Sequence, residues 1–187
     1  MEKLGTIQLE TERLILRKAK ISDAEYMFRN WANDSRVTKF MTWEPYTNAD
    51  DVKAYISSVI ESYNNNTYYW FIELKEIGEP IGAISVVSMR EDIESVEIGY
   101  GIGYDWWHKG IVTEAFSAVI KFLFEEVGIN RIEATHDTNN PNSGKVMQKC
   151  GLVYEGTARQ AGKNNCGICD VAHYAILKED YISNKSK

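Results

Sequence analysis

The densest run of chemically useful groups is Glu97-Ile98-Gly99-Tyr100-Gly101-Ile102-Gly103-Tyr104, which continues through Asp105-Trp106-Trp107-His108-Lys109-Gly110-Ile111-Val112-Thr113-Glu114-Ala115. A glycine-bearing strand here runs through a short loop directly into a helix. Backbone amides around Lys109 to Thr113 are then unpaired and converge on one spot, where they and the helix dipole attract anionic oxygen. Gly110 lets a phosphate group approach the main chain, and Lys109 adds charge. Alternate glycines at 99, 101 and 103 weaken a strand and mark a bulge or the close approach of another chain or ligand. The spacing is neither a Walker loop nor a dinucleotide fingerprint. The plainer alternative is a tight turn before a surface helix.

A second cluster is Cys166-Gly167-Ile168-Cys169 with His173 following. Such a set supplies three zinc ligands, with Cys150 available as a fourth. Against this, the sequence has no second C-x-x-C, and residues 169, 171 and 173 share one face of a strand. The expectation is therefore no metal and cysteines that are buried or sit in a hairpin turn.

Elements must position these groups. Thr11 to Arg17 alternates as a half-buried strand. Ser22-Asp23-Ala24-Glu25 reads as a capping box for a helix through Tyr26, Met27 and Trp31. Val52, Tyr55, Ile56, Val59, Ile60 and Tyr63 recur at helical spacing behind a Thr47 or Asn48 cap. The period then changes to that of strands: Tyr68 to Leu74, Ile81 to Ser88 and Ser95 to Tyr104, an antiparallel meander. Helical spacing returns through Ala115, Val119, Ile120, Leu123 and Val127, with Gly128 as C-cap. Arg131 to His136 is a strand. Asn140 and Pro141 then start a short helix that carries Val146 and Met147 to Gly151. Strands Leu152 to Arg159 and Ile168 to Leu177 follow. The whole is one mixed α/β domain over residues 1–187.

Lys and Arg number 21 against 27 Asp and Glu, for a net charge of -6. Bulk nucleic acid or an anionic membrane is therefore excluded as the main partner, although a local basic pocket is allowed. No apolar run reaches membrane-spanning length and the N-terminus has no signal-peptide pattern, so a cytoplasmic location is expected. An odd count of 3 cysteines argues for reduced thiols.

Glu97-Ile98-Gly99-Tyr100 together with Trp107 to Ala115 resembles the acetyl-CoA-binding motif of the GNAT N-acetyltransferases. The resemblance is closest to the branch containing the RimJ/RimL ribosomal-protein N-terminal acetyltransferases. Thr11 to Arg17 is similar to that branch's opening strand. Asn140-Pro141-Asn142-Ser143 with Val146, Lys149, Gly151 and Glu155-Gly156 resembles its second cofactor motif, and Asp170 to Leu177 its closing strand. Two positions depart from the family's Q/R-x-x-G-x-G/A pattern: Trp107 stands where Gln or Arg is common, and Val112 where Gly or Ala is common.

The resemblance implies a mixed, mostly antiparallel sheet flanked by helices on both faces and splayed near Tyr100 to admit acetyl-CoA. It implies that Tyr100, Gly101 and Ile102 line the pantetheine arm. His108, Lys109, Gly110, Ile111, Val112 and Thr113 would hold the pyrophosphate, and Asn140 and Ser143 would sit at the sulfur end. Ser143 would donate to the departing thiolate, or act as a first-turn helix cap. Met147 stands where many relatives carry a tyrosine general acid.

Acetyl transfer needs a deprotonated amine, and a carboxylate or histidine accepts that proton directly or through water. Glu97 is the first candidate base, with a solvated or salt-bridged strand residue as the alternative. His136 and Tyr174 rank lower, and Glu114 is assigned to complementing the helix dipole. The expected activity is direct acetyl transfer to a primary amine, with a protein N-terminus as the leading acceptor. Polyamines or aminoglycosides are the alternative acceptors, and a non-catalytic acyl-CoA sensor is the alternative function. Either a monomer or a homodimer is compatible with the sequence.

Overall fold

The computed structural model describes residues 1–185. Its strands are β1 (Leu9–Glu10), β2 (Leu14–Arg17), β3 (Tyr69–Leu74), β4 (Glu79–Arg90), β5 (Ser95–Ile102), β6 (Arg131–Asp137), β7 (Val153–Asn164) and β8 (Gly167–Leu177). The helices are α1 (Ala24–Met27), α2 (Ser35–Thr38), α3 (Ala49–Ser62), α4 (Ile111–Phe122), α5 (Pro141–Lys149) and α6 (Lys178–Lys185). All the strands join one 8-stranded sheet in the order β1-β2-β3-β4-β5-β6-β8-β7. Every neighbouring pair is antiparallel except β5 with β6. Strand β8 returns between β6 and β7 and leaves β7 at the edge.

Alternation along the strands sends apolar side chains to both faces, so a core lies on each side. On one face Trp70, Ile72, Ile84, Val96, Ile98 and Ile132 pack under the Ala115, Phe116 and Val119 stripe of α4. On the other, Phe71 meets Met27, Trp31, Val52 and Ile56 from the helices between β2 and β3. Helix α3 starts where the Asn48 side chain accepts from the Asp51 amide at 2.9 Å, which selects Asn48 over Thr47 as the cap. A π-helical turn, Leu123–Val127, extends α4, and Gly128 closes it at φ +82°.

The capping box expected at Ser22 does not form. Ser22 lies inside a short 3-10 turn, Ile21–Asp23, that precedes α1. The carboxylate that does the capping is Asp23, which accepts from the Lys20 amide at 2.7 Å and from Arg17 at 2.8 and 2.9 Å. A buried arginine outcompetes a serine hydroxyl for control of this turn because its bidentate, charge-assisted pair is the stronger contact. Several strand limits also move. Strand β5 ends at Ile102 rather than Tyr104, because Tyr104–Trp106 turns as a 3-10 helix. Strand β7 runs on to Asn164, past a bulge between Ala158 and Gly162.

Candidate active site

Strands β5 and β6 are neighbours only over Ser95↔Arg131, Val96↔Ile132 and Glu97↔Glu133. Beyond Glu97 they diverge. The edge of β5 from Ile98 to Ile102 thus faces a wedge instead of a strand, and its amides and carbonyls there are free to pair with another molecule. A cleft of about 590 Å³ fills this wedge and runs from Thr135, His136 and Asp137 past Tyr100 and Gly101 to the start of α4.

Helix α4 begins at Gly110, whose φ is +73°. The preceding His108 is also left-handed, at φ +60°. This pair of left-handed residues turns the chain so that the first-turn amides of α4 open on the cleft, with His108, Gly110, Ile111, Val112 and Thr113 in its lining. Intrahelical pairing begins only at Glu114, whose amide donates to the Gly110 carbonyl at 3.0 Å. The amides before it form the anion cradle expected of a helix N-terminus.

The start of α4 is clamped from behind. The Glu114 carboxylate accepts from Thr11 Oγ1 at 2.6 Å, the Arg13 amide at 3.0 Å and Arg13 Nε at 2.6 Å. Burial raises the pKa of Glu114, but these hydrogen bonds outweigh it and hold the carboxylate below its ordinary value. Arg13 also donates to the Lys109 carbonyl at 2.9 Å. Trp107, which departs from the motif, pins the loop through Nε1 to the Ile102 carbonyl at 3.0 Å. Val112 is half-buried against the core. Lys109 is exposed and is not part of the cleft lining; its carbonyl is taken by Arg13.

Helix α5 forms the opposite wall. The Asn140 side chain makes no cap bond and lines the cleft. Ser143 Oγ lies 2.9 Å from the Tyr100 hydroxyl, which also donates to the Ser143 carbonyl at 3.1 Å. A phenol has one proton, so with Tyr100 donating to that carbonyl, the serine hydroxyl donates to Tyr100. Burial raises the pKa of Tyr100 well above the ordinary phenol range despite the Ser143 bond, so it stays protonated at neutral pH. This hydroxyl pair joins β5 to α5 across the cleft. Sequence reading placed both residues near the cofactor, but not their contact. Met147 is 1% exposed and belongs to the core.

Glu97 accepts from Thr135 Oγ1 at 3.0 Å. Thr135 lines the cleft and Glu97 does not. Asp137, at the end of β6, is a carboxylate that sequence reading missed. Burial acts to raise its pKa, but bonds from the Asn139 amide, Asn164, the Asn139 side chain and Cys169 hold it lowered. With those lone pairs occupied, it braces the loop and is poorly placed to take up a proton. The His136 ring puts Nδ1 2.7 Å from the Asp137 carbonyl, which makes Nδ1 the donor, and packs its Nε2 against Gly144. The ring packs between β6 and α5 and lines the cleft, and its buried Nε2 has no hydrogen-bond partner among the described residues. Tyr174 is buried beside it and outside the cleft lining.

The C-x-x-C pair sits at the β7–β8 turn. Cys166 Sγ donates to the Lys39 carbonyl at 3.4 Å, and Cys169 Sγ accepts from Asn164 at 3.6 Å. Cys150 lies at the far end of α5, where burial pushes its thiol up to about 11. His173 is opposite Thr135 in the β6–β8 register. Among the described residues no group of three His, Cys, Asp or Glu is arranged to hold a metal. No helix among them is long and apolar enough to cross a membrane.

A sheet that splits over a helix N-terminus, with a carboxylate at the fork and hydroxyls on the facing wall, suits transfer of an acyl group from a phosphate-bearing carrier. The family model described as acetyltransferase (GNAT) domain matches residues 13–153, and the chain belongs to that family. It is an N-acetyltransferase of the GNAT type, in company with the ribosomal-protein enzymes RimJ and RimL. The N-acetyltransferase p20 of Bacillus licheniformis is 32% identical over 174 residues, 92% of this chain and 97% of p20. The ribosomal protein uS5 alanine N-acetyltransferase of Escherichia coli is 26% identical over 162 residues, 82% of this chain and 81% of that enzyme. Among solved structures, the microcin self-immunity acetyltransferase MccE, in complex with acetyl-CoA and AMP, superposes with a TM-score of 0.79. It is 23% identical and covers 89% of this chain and 93% of its own.

Proposed function

We propose that the chain transfers acetyl from acetyl-CoA directly to a primary amine, and that the amine is a protein N-terminus. The observation that carries this reading is the wedge beyond Glu97, with the first-turn amides of α4 at one end and the Tyr100–Ser143 hydroxyl pair along its wall. The residues fit the donor. Ile111, Val112 and Thr113 offer unpaired amides to a pyrophosphate, with His108, Lys109 and Gly110 shaping the loop. Tyr100, Gly101 and Ile102 offer a free strand edge to the pantetheine amides, and Asn140 and Ser143 stand toward the sulfur end. Lys39, Lys145 and Lys149 on the cleft rim supply countercharge in an otherwise acidic protein.

When bound, acetyl-CoA supplies the activated thioester. Glu97 takes the proton of the incoming ammonium through a bridging water, which frees the nitrogen lone pair. Ser143 stabilises the departing thiolate by turning its one hydroxyl proton from Tyr100 to the sulfur, and the second N–H proton of the attacking nitrogen passes to the thiolate as the amide forms. Attack is direct, and no residue is acylated. The ribosomal-protein specificity of the uS5 relative supports a protein N-terminus as acceptor, and the net charge of -6 favours cationic substrates generally.

The test is thiol release by purified protein with acetyl-CoA and a panel of amines: peptides with free N-terminal Ala or Ser, spermidine and an aminoglycoside. Turnover confined to the peptides is the expected result. Turnover on spermidine or the aminoglycoside alone overturns the acceptor, and acetyl-CoA binding without turnover on any amine points to a sensor.

A further inference from the structure

We propose that Thr135 is the relay through which Glu97 reaches the cleft, with its hydroxyl as the first protein atom on the proton's path out of the acceptor amine. This inference rests on the acetyltransferase reading above and assigns a role to a residue outside the family motif.

Glu97 ↔ Glu133 is the last registered pair of the parallel ladder, and Thr135 is the next residue of β6 on the Glu97 face, just past the fork. Its Oγ1 donates to Glu97 Oε1 at 3.0 Å. A threonine hydroxyl has one proton and two lone pairs. The proton is committed to Glu97, and among the described residues no group donates to Oγ1. The lone pairs are thus left for the cleft, which Thr135 lines and Glu97 does not.

Among the titratable groups around Thr135, Glu97 is the one that its hydroxyl bonds, whereas His136, next to it on β6, turns its Nε2 against Gly144. Glu133, across the ladder, is held by Arg131 at 2.9 Å, and Arg131 is shared with Glu155 at 2.6 Å. Asp137, farther along β6, has its oxygens occupied by Asn139 and Asn164. His173 stands opposite Thr135 with an exposed side chain. Among the described residues, Glu97 has Thr135 as its side-chain hydrogen-bond partner and no cation within salt-bridge distance.

The step balances as a double proton shift. The N–H bond of the ammonium, or the O–H bond of a water that has just taken its proton, breaks as an O–H bond forms at Thr135 Oγ1. The original Oγ1–H bond breaks as a bond forms at Glu97 Oε1. One proton has moved from amine to carboxylate, and the hydroxyl is regenerated.

The experiment measures kcat and KM for the wild type, Thr135→Val, Thr135→Ser, Glu97→Gln and Thr135→Val/Glu97→Gln with acetyl-CoA and the best amine of the panel. Thermal melts serve as a folding control. Valine keeps the shape and removes the hydroxyl, so kcat should fall about 10²-fold while the KM for acetyl-CoA stays within about twofold. Serine should restore most of the rate. In the double variant the two losses should not multiply, since both remove one path. Wild-type kcat in Thr135→Val, no rescue by serine, or multiplicative losses overturns the relay. Unchanged kcat in Glu97→Gln overturns Glu97 as base and the relay with it. A wild type that acetylates no amine instead overturns the underlying reading.

Discussion

The hydroxyls of Tyr100 and Ser143 are bonded to each other, which orients the serine for the thiolate-stabilising role proposed for it. Replacing Ser143 with Ala should lower kcat about 10²-fold with little change in the KM for acetyl-CoA, as steady-state kinetics would register. Tyr100→Phe should cost only about one hydrogen bond, ~1 kcal/mol or about fivefold in rate, because the serine remains and merely loses its tether. A larger loss in Tyr100→Phe than in Ser143→Ala would reverse that ranking and make the phenol the proton donor. Sequence reading named both residues, since each falls in a recognisable motif. Their pairing was not legible, because it depends on how α5 crosses β5, which no local pattern encodes. The same gap hides Thr135 and Asp137, whose roles come from the divergence of β6 from β5. Lys109 shows the converse: a positive charge beside an anion cradle looks functional in sequence, yet the residue is not part of the cleft lining.

At the scale of elements, α4 is the piece whose placement matters most, and its placement depends on Glu114. The role expected from sequence was a favourable charge at a helix N-terminus. The structure adds a specific clamp to Thr11 and Arg13, in the turn between β1 and β2. Because the folded pKa of Glu114 lies below its ordinary value of 4.5, its contribution is fully present above that value and is lost as pH falls through the folded pKa. Urea titrations of wild type and Glu114→Gln should therefore differ by about 1 kcal/mol near neutrality, a figure discounted for partial exposure. The two curves should converge as the pH falls from 4.5 through the lowered folded pKa. A constant gap down to pH 3 would mean that the variant acts by packing alone. The elements themselves were largely legible, because α3, α4 and the central strands carry strong periodicity. The short pieces β1, α2 and α6 were missed. Each is held by tertiary contacts and is too brief to show a period.

For the whole molecule, the long β7–β8 hairpin ties the end of the chain to its beginning. The Asn165 side chain donates to the carbonyls of Thr38 and Trp43, each at 2.9 Å, and its amide donates to that of Met41 at 3.2 Å. Asn165→Ala should raise amide exchange in residues 38–43 and 164–167 and lower kcat/KM for the amine, with acetyl-CoA affinity unchanged. Unaltered exchange in both segments would show the backbone contact to be sufficient. Sequence alone could not reveal this closure, since the contacting residues are far apart and polar. The fork carries another consequence. Strands β1 to β5 and β6 to β8 are two half-sheets joined by three residue pairs, so the sheet has a mechanical seam where its rungs run out. A molecule laid along the open edges replaces the missing rungs and splints one half against the other. Donor binding and resistance to unfolding then share one joint, and ligand at about 100 times its Kd adds about 2.7 kcal/mol to the stability of the whole chain.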